Sequence, residues 1–252
     1  MNIDNYKYPM DELPIAIQES LRDEICNLEF SGFQDAHKSN KESSFATRIY
    51  RNEDGEFLVT CITDMPEVTP KMIDWWFGWH LPRTERYKLW HPQAHVSSIL
   101  KEDTSIYPTD KEKYINKDSY VKEYIGKDLN HLCISFVDPQ EFGFPILNSE
   151  EETAICAHVQ DLKKRLSIAS LTHLVTKYTD GSRMQSSFWL GANLKHSNSF
   201  LNFLFNRLLN NKKIKSIFLK EVIAKNLLSH CAEEMNHLSK FLPSLYRDLH
   251  KS

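Results

Sequence analysis

The spacing of apolar residues changes twice along the chain. The first stretch, residues 1–65, opens with an apolar pattern from Pro14 to Leu28, which predicts a short helix because proline is favoured in a first helical turn. The segments ATRIYRN and EFLVTCIT then alternate apolar and polar positions on either side of Glu53-Asp54-Gly55. Alternation on both sides of an Asp-Gly turn predicts a β-hairpin.

The second and third stretches favour strands and then helices. Residues 101–195 contain the strand-like segments KEYIG, HLCISFVDP and CAHVQD, and Asp180-Gly181 marks a further turn between two strands. Residues 198–249 have helical spacing that is interrupted near Asn210-Asn211 and ends after Pro243. An antiparallel sheet closed by a long C-terminal helix is an α+β fold, with a cavity expected between sheet and helix.

The last helix carries two polar residues on its apolar face. Its apolar stripe is formed by Ile223, Leu227, Leu238, Phe241 and Leu245. If the stripe is continued through the gap between Leu227 and Leu238, it passes over His230 and Glu234, which lie one turn apart. An unpaired carboxylate is expensive to bury, so Glu234 needs a cation, a strong donor or a water-filled cavity. The pair can present both side chains to one metal ion, and the alternative is a neutral histidine hydrogen-bonded to a buried glutamate.

An aromatic region between residues 70 and 95 supplies further imidazoles. Its helix-like part contains Trp75, Trp76 and Trp79, which we expect to pack in a core or an interface. His80, His91 and His95 follow, and neutral imidazole is the commonest protein ligand for zinc. The break at Pro92 lets His91 and His95 point in different directions, so we expect one of them to reach the helix pair. Spacing alone does not decide which one.

Composition excludes several classes of protein. The chain has 252 residues, of which 41% are hydrophobic and 26% are charged. Its net charge of -3 does not indicate the positively charged surface that binds nucleic acid. The lysines between Lys212 and Lys225 are expected to form the solvated face of a helix entry. No signal peptide or spanning segment is evident, and five cysteines without a CxxC pair suit reduced thiols in the cytoplasm. Seven glycines without a Gly-rich strand-to-helix turn argue against a nucleotide-binding α/β fold.

An ordered set of short motifs, from about residue 66 to the C-terminus, resembles the 2,4-diacetylphloroglucinol hydrolase family, which includes phloretin hydrolases. The motifs are Trp75-Trp76-Phe77-Gly78-Trp79-His80, Arg86-Tyr87-x-x-Trp90-x-Pro92-x-x-His95, Phe136-Val137-Asp138-Pro139, Ser187-Phe188-Trp189-Leu190-Gly191 and His230-x-x-x-Glu234. The resemblance implies a zinc enzyme that hydrolyses the carbon–carbon bond between an acyl group and a phenolic ring. It also implies a helix-grip domain, like birch pollen allergen and START domains, over residues 66–252, with residues 1–65 contributing to a homodimer.

The resemblance further implies which residues bind the zinc ion. The His-x-x-x-Glu pair of the C-terminal helix corresponds to His230 and Glu234. The family's first histidine ligand falls eight residues after a substrate-contacting tyrosine, a spacing that Tyr87 and His95 share, with His91 as the alternative. The remaining glutamate precedes a strand, and Glu123 in VKEYIG is the best match. Glu141 in DPQEFG is the second choice.

The same resemblance assigns the catalytic and substrate-binding positions. His173 in LTHLV corresponds to a histidine implicated in proton transfer, and Tyr87 is expected to hold a phenolic hydroxyl or the acyl oxygen. Phe188 occupies an aromatic substrate contact where the family pattern has tyrosine, so a hydroxyl contact is lost and the ring substitution of the substrate is left open. Taken singly, a hydrogen-bonded strand histidine and a core tyrosine are equally good interpretations of His173 and Tyr87.

We therefore expect a cytoplasmic, zinc-dependent C–C hydrolase acting on a small acylated phenol, with no nucleic-acid partner, no membrane partner and no nicotinamide or flavin. The main alternative is a non-catalytic helix-grip protein that binds an aromatic polyketide or lipid, and a third is an aromatic-polyketide cyclase on the same fold. The fold hosts all three, so it does not choose between them. The set of four ligands favours the hydrolase, because a binding protein has no need to bury two carboxylates together.

Overall fold

One nine-stranded sheet forms the body of the protein in the computed structural model, which describes residues 2–42 and 44–251. The strands are β1 (Cys26–Asn27), β2 (Arg48–Arg51), β3 (Phe57–Pro66), β4 (His95–Leu100), β5 (Asp118–Ile125), β6 (Asp128–Val137), β7 (Glu152–Asp161), β8 (Leu166–Tyr178) and β9 (Gly181–His196). Their order across the sheet is β1-β2-β3-β9-β8-β7-β6-β5-β4. Every neighbouring pair is antiparallel except β1 and β2.

Seven helices accompany the sheet in the described part of the chain. They are α1 (Ile15–Arg22), α2 (Ala36–Asn40), α3 (Pro70–His80), α4 (Thr84–Trp90), α5 (Ser199–Leu209), α6 (Lys212–Phe218) and α7 (Glu221–Leu249). The long helix α7 packs against β3 and β5 and against α1, α3 and α4. An antiparallel sheet around a long C-terminal helix is the predicted α+β, helix-grip architecture, and this prediction is confirmed.

Two apolar layers cover the two faces of the sheet. The larger one holds α3, α4 and α7 against the sheet and includes Trp76, Phe77 and Trp90. The smaller one lies on the opposite face and includes Phe142 and Trp189. The tryptophans of α3 are buried or partly buried in the larger layer, as their sequence pattern predicts.

The hairpin predicted around Glu53-Asp54-Gly55 is confirmed, because β2 and β3 pair from Arg48 with Thr60 to Arg51 with Phe57. Gly55 adopts a φ of 77°, which a glycine tolerates at no steric cost. β3 then pairs with β9 along all ten of its residues. The predicted boundary at residue 65 falls inside β3, so one sheet joins both parts of the chain. The role of residues 1–65 in dimerisation stays a prediction.

One sequence-based helix boundary is wrong. The helix predicted from Pro14 to Leu28 ends at Arg22, because Cys26–Asn27 forms a parallel pair with β2 instead. The last helix continues through Pro243 and ends at Leu249, the end of the stretch predicted as helical. Proline removes one backbone hydrogen bond inside a helix, and the burial of Pro243 and its neighbours against the core outweighs this loss. The predicted interruption near Asn210-Asn211 is confirmed, since α5 ends at Leu209 and Asn211 caps α6.

Candidate metal centre

Two strands and one helix bring four potential ligands together. In the ladder between β4 and β5, His95 pairs directly with Glu123, so their side chains share one face of the sheet. Helix α7 crosses this face and presents His230 and Glu234 one turn apart. All four side chains are buried. The structure therefore brings together the four residues that the family resemblance implies as ligands, although they come from three separate elements.

The distances between these side chains suit one small cation. His95 Nε2 lies 3.4 Å from Glu234 Oε2 and 3.7 Å from Glu123 Oε2. His230 Nε2 lies 3.8 Å from Glu234 Oε2 and 4.0 Å from Glu123 Oε2. A tetrahedron whose corners are about 2.0–2.2 Å from its centre has edges of roughly 3.3–3.6 Å. The ligand atoms of His95, Glu123 and His230 all lie within 4.8 Å of one another, and Glu234 approaches both histidines at, or slightly beyond, the spacing of a tetrahedral zinc site.

The position of the ring hydrogen on His95 indicates what kind of group the site can bind. His95 Nδ1 lies 2.8 Å from the carbonyl oxygen of Tyr87, which can only accept, so Nδ1 carries the hydrogen. The Nε2 lone pair then faces two carboxylates, and this atom has no hydrogen-bond partner among the described residues. A lone pair beside two anionic groups is unfavourable unless a cation lies between them. The residues therefore fit a divalent metal ion.

Burial shifts the pKa values of the same groups, and the shifts of the two histidines are in the direction that metal binding requires, whereas that of Glu234 is opposite. Desolvation lowers the pKa of His95 and that of His230 to about 4, so both imidazoles are neutral at neutral pH. Desolvation also raises the pKa of Glu234 to about 7, and repulsion from Glu123 adds to this effect. A metal ion would compensate the buried negative charge that these shifts reflect.

Tyr87 is held against the cluster by two contacts. Its hydroxyl donates a hydrogen bond to Glu123, and its ring stacks on the imidazole of His95 at 3.7 Å between centroids. Burial raises the pKa of Tyr87 well above its usual value, and the neighbouring Glu123 raises it further. Tyr87 is therefore a protonated hydrogen-bond donor. In this structure its hydroxyl orients Glu123, and its expected contact with a substrate stays a prediction.

The two alternative ligands lie elsewhere. His91 Nδ1 accepts a hydrogen bond from the backbone of Ala94 at 3.2 Å, and its Nε2 lies 3.0 Å from Glu233 Oε2. Both ring nitrogens are thereby engaged, and the ring stacks beside His230 at 5.1 Å. Glu141 is exposed and lies 3.9 Å from His158. Neither His91 nor Glu141 points a free ligand atom at the cluster.

The C-terminal end of α4 is hydrogen-bonded to α7 near the turn that carries the candidate ligands His230 and Glu234. Trp90 Nε1 donates to the backbone carbonyl of Glu234 at 3.0 Å. His237 Nδ1 donates to the backbone carbonyl of Trp90 at 2.8 Å. Together with the bond between His91 and Glu233, these contacts fix α7 relative to the C-terminal end of α4. Sequence reasoning missed Glu233 and His237, because contacts between residues more than 140 positions apart leave no periodic pattern.

His173 and Phe188 lie on the neighbouring strands β8 and β9. His173 Nδ1 lies 2.8 Å from Ser186 Oγ, and burial lowers the pKa of His173 to about 3. Its ring contacts that of Phe188 at 5.6 Å and that of Phe77 at 6.3 Å. Phe77 in turn contacts Trp90, whose ring lies 5.5 Å from His95. A continuous series of aromatic contacts therefore connects His173 with the candidate ligands.

Comparison with known proteins identifies the family. The family model described as the DAPG hydrolase PhiG domain matches residues 33–247. The chain belongs to this family. The match covers β2 to β9 and almost all of α7, so it includes all the residues of the candidate metal centre and confirms the resemblance carried by the sequence motifs.

Two members of the DAPG hydrolase family illustrate the relationship. The phloretin hydrolase of Eubacterium ramulus is 28% identical over 204 residues, which are 77% of this chain and 69% of that protein. The 2,4-diacetylphloroglucinol hydrolase of Pseudomonas protegens is 31% identical over 205 residues, which are 73% of this chain and 62% of that protein. The matches thus span only about two thirds of these relatives, and both relatives are named as hydrolases.

One solved structure matches part of the chain at low identity. The di-domain ARO/CYC protein of the BE-7585A biosynthetic pathway is 10% identical, with a TM-score of 0.45, and the match covers 75% of this chain and 50% of that one. This likeness carries no argument about activity.

Proposed function

We propose that the protein is a zinc-dependent hydrolase that cleaves the carbon–carbon bond between an acyl group and a phenolic ring. The observation that carries this proposal is the unpartnered Nε2 of His95, which faces two buried carboxylates among the described residues of a hydrolase-family member. The named activities of the relatives support the choice of bond and of substrate class.

Zinc suits the ligand chemistry better than magnesium or calcium. Two imidazole nitrogens and two carboxylate oxygens form a borderline set, whereas magnesium and calcium prefer oxygen ligands alone. His95, Glu123 and His230 would hold the ion, together with Glu234, which lies near both histidines. When bound, zinc lowers the pKa of a coordinated water and polarises an acyl oxygen.

The overall reaction defines what the protein residues must do. A water oxygen bonds to the acyl carbon, the bond from that carbon to the ring breaks, and the ring carbon receives a proton. Burial lowers the pKa of His173 to about 3, which keeps the imidazole neutral but makes it a weak base. Its transfer of a proton from water to the ring carbon therefore requires that the negative charge of the bound reactants raise this pKa. Tyr87 holds Glu123 in place through its hydrogen bond. Because the raised pKa keeps the Tyr87 hydroxyl protonated, Tyr87 cannot replace Glu123 as an anionic ligand of the metal.

The surroundings of His173 suit an aromatic substrate. Phe77 and Phe188 present ring faces and edges beside the imidazole, and aromatic rings pack favourably in offset or edge-on arrangements. Both residues lie in the apolar layer between sheet and helices. Phe188 offers no hydroxyl, so we propose that the substrate is recognised at this position by packing and not by a hydrogen bond.

One experiment tests the metal and the reaction together. Protein purified without chelator is analysed for metals and then assayed with diacetylphloroglucinol, monoacetylphloroglucinol and phloretin, with the released carboxylic acid followed by chromatography. We expect one zinc per chain and acid release from at least one substrate. Metal-free protein that binds these compounds without cleaving them would favour the binding-protein alternative. Release that persists after removal of the metal would contradict the mechanism.

A further inference from the structure

One continuous segment carries a charge that is opposite to that of the whole protein. Residues 181–220 contain seven lysines and arginines and no aspartate or glutamate. The rest of the chain holds the other 24 of the 31 basic residues and all 34 acidic residues. A protein with a net charge of -3 therefore concentrates positive charge in β9 and the segment that connects it with α7, and five of the seven basic residues lie in that connection.

This segment and the start of α7, which begins with the acidic Glu221, expose large apolar side chains. Six of the sixteen large hydrophobic residues that are exposed in the described part of the chain lie between residues 200 and 223. They are Phe200, Phe203, Leu208, Phe218, Val222 and Ile223. Phe203 is 83% exposed, and Phe200 lies on the same side of α5 because the two are three residues apart. Exposed apolar surface of this density marks an interaction site more often than a solvated face.

The helices that present these side chains are attached to the sheet. Lys215 is buried and pairs with Glu56 at the start of β3, with 2.5 Å between Nζ and Oε1. Asn210 binds the backbone of Leu194 in β9 through both its amide oxygen and its amide nitrogen. Leu219 packs so closely on Gly191 that a Cβ there would lie 2.2 Å from it. The exposed apolar residues therefore lie on a segment that is held against the sheet by these contacts.

Exposed lysines flank the apolar residues. Lys212 begins α6 and Lys220 precedes α7, and both are exposed. Neither forms an ion pair within residues 2–42 and 44–251. We call the exposed apolar residues from Phe200 to Ile223, together with Lys212 and Lys220, the α5–α6 surface.

We propose that the α5–α6 surface binds the surface of an anionic lipid bilayer. Phenylalanine and leucine side chains enter the boundary between headgroups and acyl chains, while lysines reach the headgroup phosphates. Helices that combine these two features lie in the plane of the interface. The proposal replaces two expectations from the sequence, that these lysines only form a solvated helix entry and that the protein has no membrane partner. It concerns attachment to one leaflet, since none of the described helices has the length and hydropathy of a membrane span.

The charge of the surface argues against two other occupants. A two-fold dimer places the same patch of each copy against itself, which would bring the lysines of both copies together. Nucleic acid attracts lysines but offers no apolar phase for exposed phenylalanines, since most of its contacts are made through phosphate and sugar. An anionic bilayer satisfies both the charged and the apolar side chains.

The test uses the full chain and vesicles of phosphatidylcholine with or without phosphatidylglycerol, separated by flotation. We expect binding to the anionic vesicles that weakens as salt is added, and much weaker binding to the neutral ones. Phe203→Ser should reduce binding about 10- to 150-fold, because a buried Phe side chain is worth about 1.5–3 kcal/mol. Lys212→Gln with Lys220→Gln should reduce it on the order of 10- to 30-fold, at about 1 kcal/mol per lysine.

Matched variants control for nonspecific effects. Ile146 is 88% exposed and lies outside the surface, so Ile146→Ser should bind vesicles as the wild type does. Lys88 is exposed on α4, and Lys88→Gln is the corresponding charge control. Binding that is absent, equal on neutral and anionic vesicles, or unaffected by Phe203→Ser would overturn the proposal. Sedimentation showing a dimer that Phe203→Ser dissociates would assign the surface to a second copy of the chain instead.

Discussion

His91 donates the hydrogen on Nε2 to Glu233 Oε2 across 3.0 Å, and its ring lies beside that of His230 with an angle of 12° between the planes. The direction of the bond follows from the backbone N–H of Ala94, which donates to Nδ1 and leaves the ring hydrogen on Nε2. Burial alone would raise the pKa of Glu233. The hydrogen bonds from His91 and Ser229 have a larger combined effect in the opposite direction, so the pKa of Glu233 is lowered. A neutral imidazole bonded to an ionised carboxylate thus supports the ring of a candidate ligand.

This relationship predicts that His91 affects metal affinity without binding the metal. His91→Phe keeps an aromatic ring beside His230 but removes both hydrogen bonds, so the turn of α7 that carries the ligands loses a restraint. Groups that orient metal ligands typically account for about 10- to 100-fold in affinity. We expect a loss of zinc affinity in that range, measured by competition with a chromogenic chelator. His250→Phe is the control, because His250 is exposed beyond α7 and bonds only within its own helix end. Equal zinc affinity in His91→Phe and wild type would contradict this role.

The choice between Glu123 and Glu141 leads to a second prediction. Glu123 is buried opposite His95, whereas Glu141 is exposed near His158. Glu123→Gln should lose most of the bound zinc, because an amide replaces a charged ligand at a buried site. Glu141→Gln changes the same functional group outside the cluster and should retain one zinc per chain. Elemental analysis of both variants is the measurement, and zinc retained in Glu123→Gln would exclude Glu123 as a ligand.

Sequence reasoning was most successful where a ligand lies within one regular element. The positions of His230 and Glu234 follow from helical periodicity, because α7 keeps one buried face from Ala224 to Leu245. Ile223, the first residue of the predicted stripe, is exposed and lies outside that face. The hairpin of β2 and β3 follows from local alternation and an Asp-Gly turn. In both cases neighbours in the sequence determine the direction in which the side chains point.

Spacing could not decide between His91 and His95, because the answer depends on residues distant in the sequence. His91 turns away from the cluster because Glu233, in α7, accepts its hydrogen bond. His95 faces the cluster because β4 pairs with β5, which brings it opposite Glu123. The register of a strand pair and the partner of a buried imidazole are tertiary features, and neither has a local sequence pattern.

The raised pKa of Glu234 predicts proton release on metal binding. At about pH 6 the Glu234 carboxyl is mostly protonated, because its pKa is about 7, while His95 and His230, with pKa values of about 4, are neutral. A metal ion requires the deprotonated carboxylate. Zinc binding near pH 6 should therefore release about one proton, and near pH 8 almost none.

Calorimetry in buffers of different ionisation enthalpy measures this proton release. Glu234→Gln removes the group that carries the proton, so any remaining zinc binding should release none near pH 6. Glu233→Gln is the control on the adjacent residue, since the pKa of Glu233 is lowered and its carboxylate is already ionised. Proton release that is unchanged in Glu234→Gln would assign the proton to another group.

A buried carboxylate far from the candidate ligands predicts a large effect on stability. Asp74 in α3 accepts hydrogen bonds from Tyr114 at 2.8 Å, Thr153 at 2.7 Å and Ser149 at 2.8 Å. Asp74→Ala leaves buried donors without their acceptor, which costs about 1–3 kcal/mol for each unsatisfied group. Asp64→Ala removes an exposed ion pair with Arg183 and should cost about 1 kcal/mol or less. Urea unfolding measures both, and equal losses would refute the structural role of Asp74.

The last prediction separates proton transfer from metal binding at His173. His173→Ala removes a neutral imidazole that is not among the candidate ligands, so the variant should keep its zinc. Its rate should fall by about 10²- to 10⁴-fold, the usual contribution of general acid–base catalysis.

His158 provides a matched control, because its Nδ1 lies 2.8 Å from Ser170 Oγ, as that of His173 does from Ser186. His158 lies on β7 beside Phe33 and Phe142, in the smaller apolar layer on the opposite face of the sheet. His158→Ala should therefore retain most of the activity. Zinc content and the rate of acid release are measured for both variants, and equal rates would show that His173 has only a structural role.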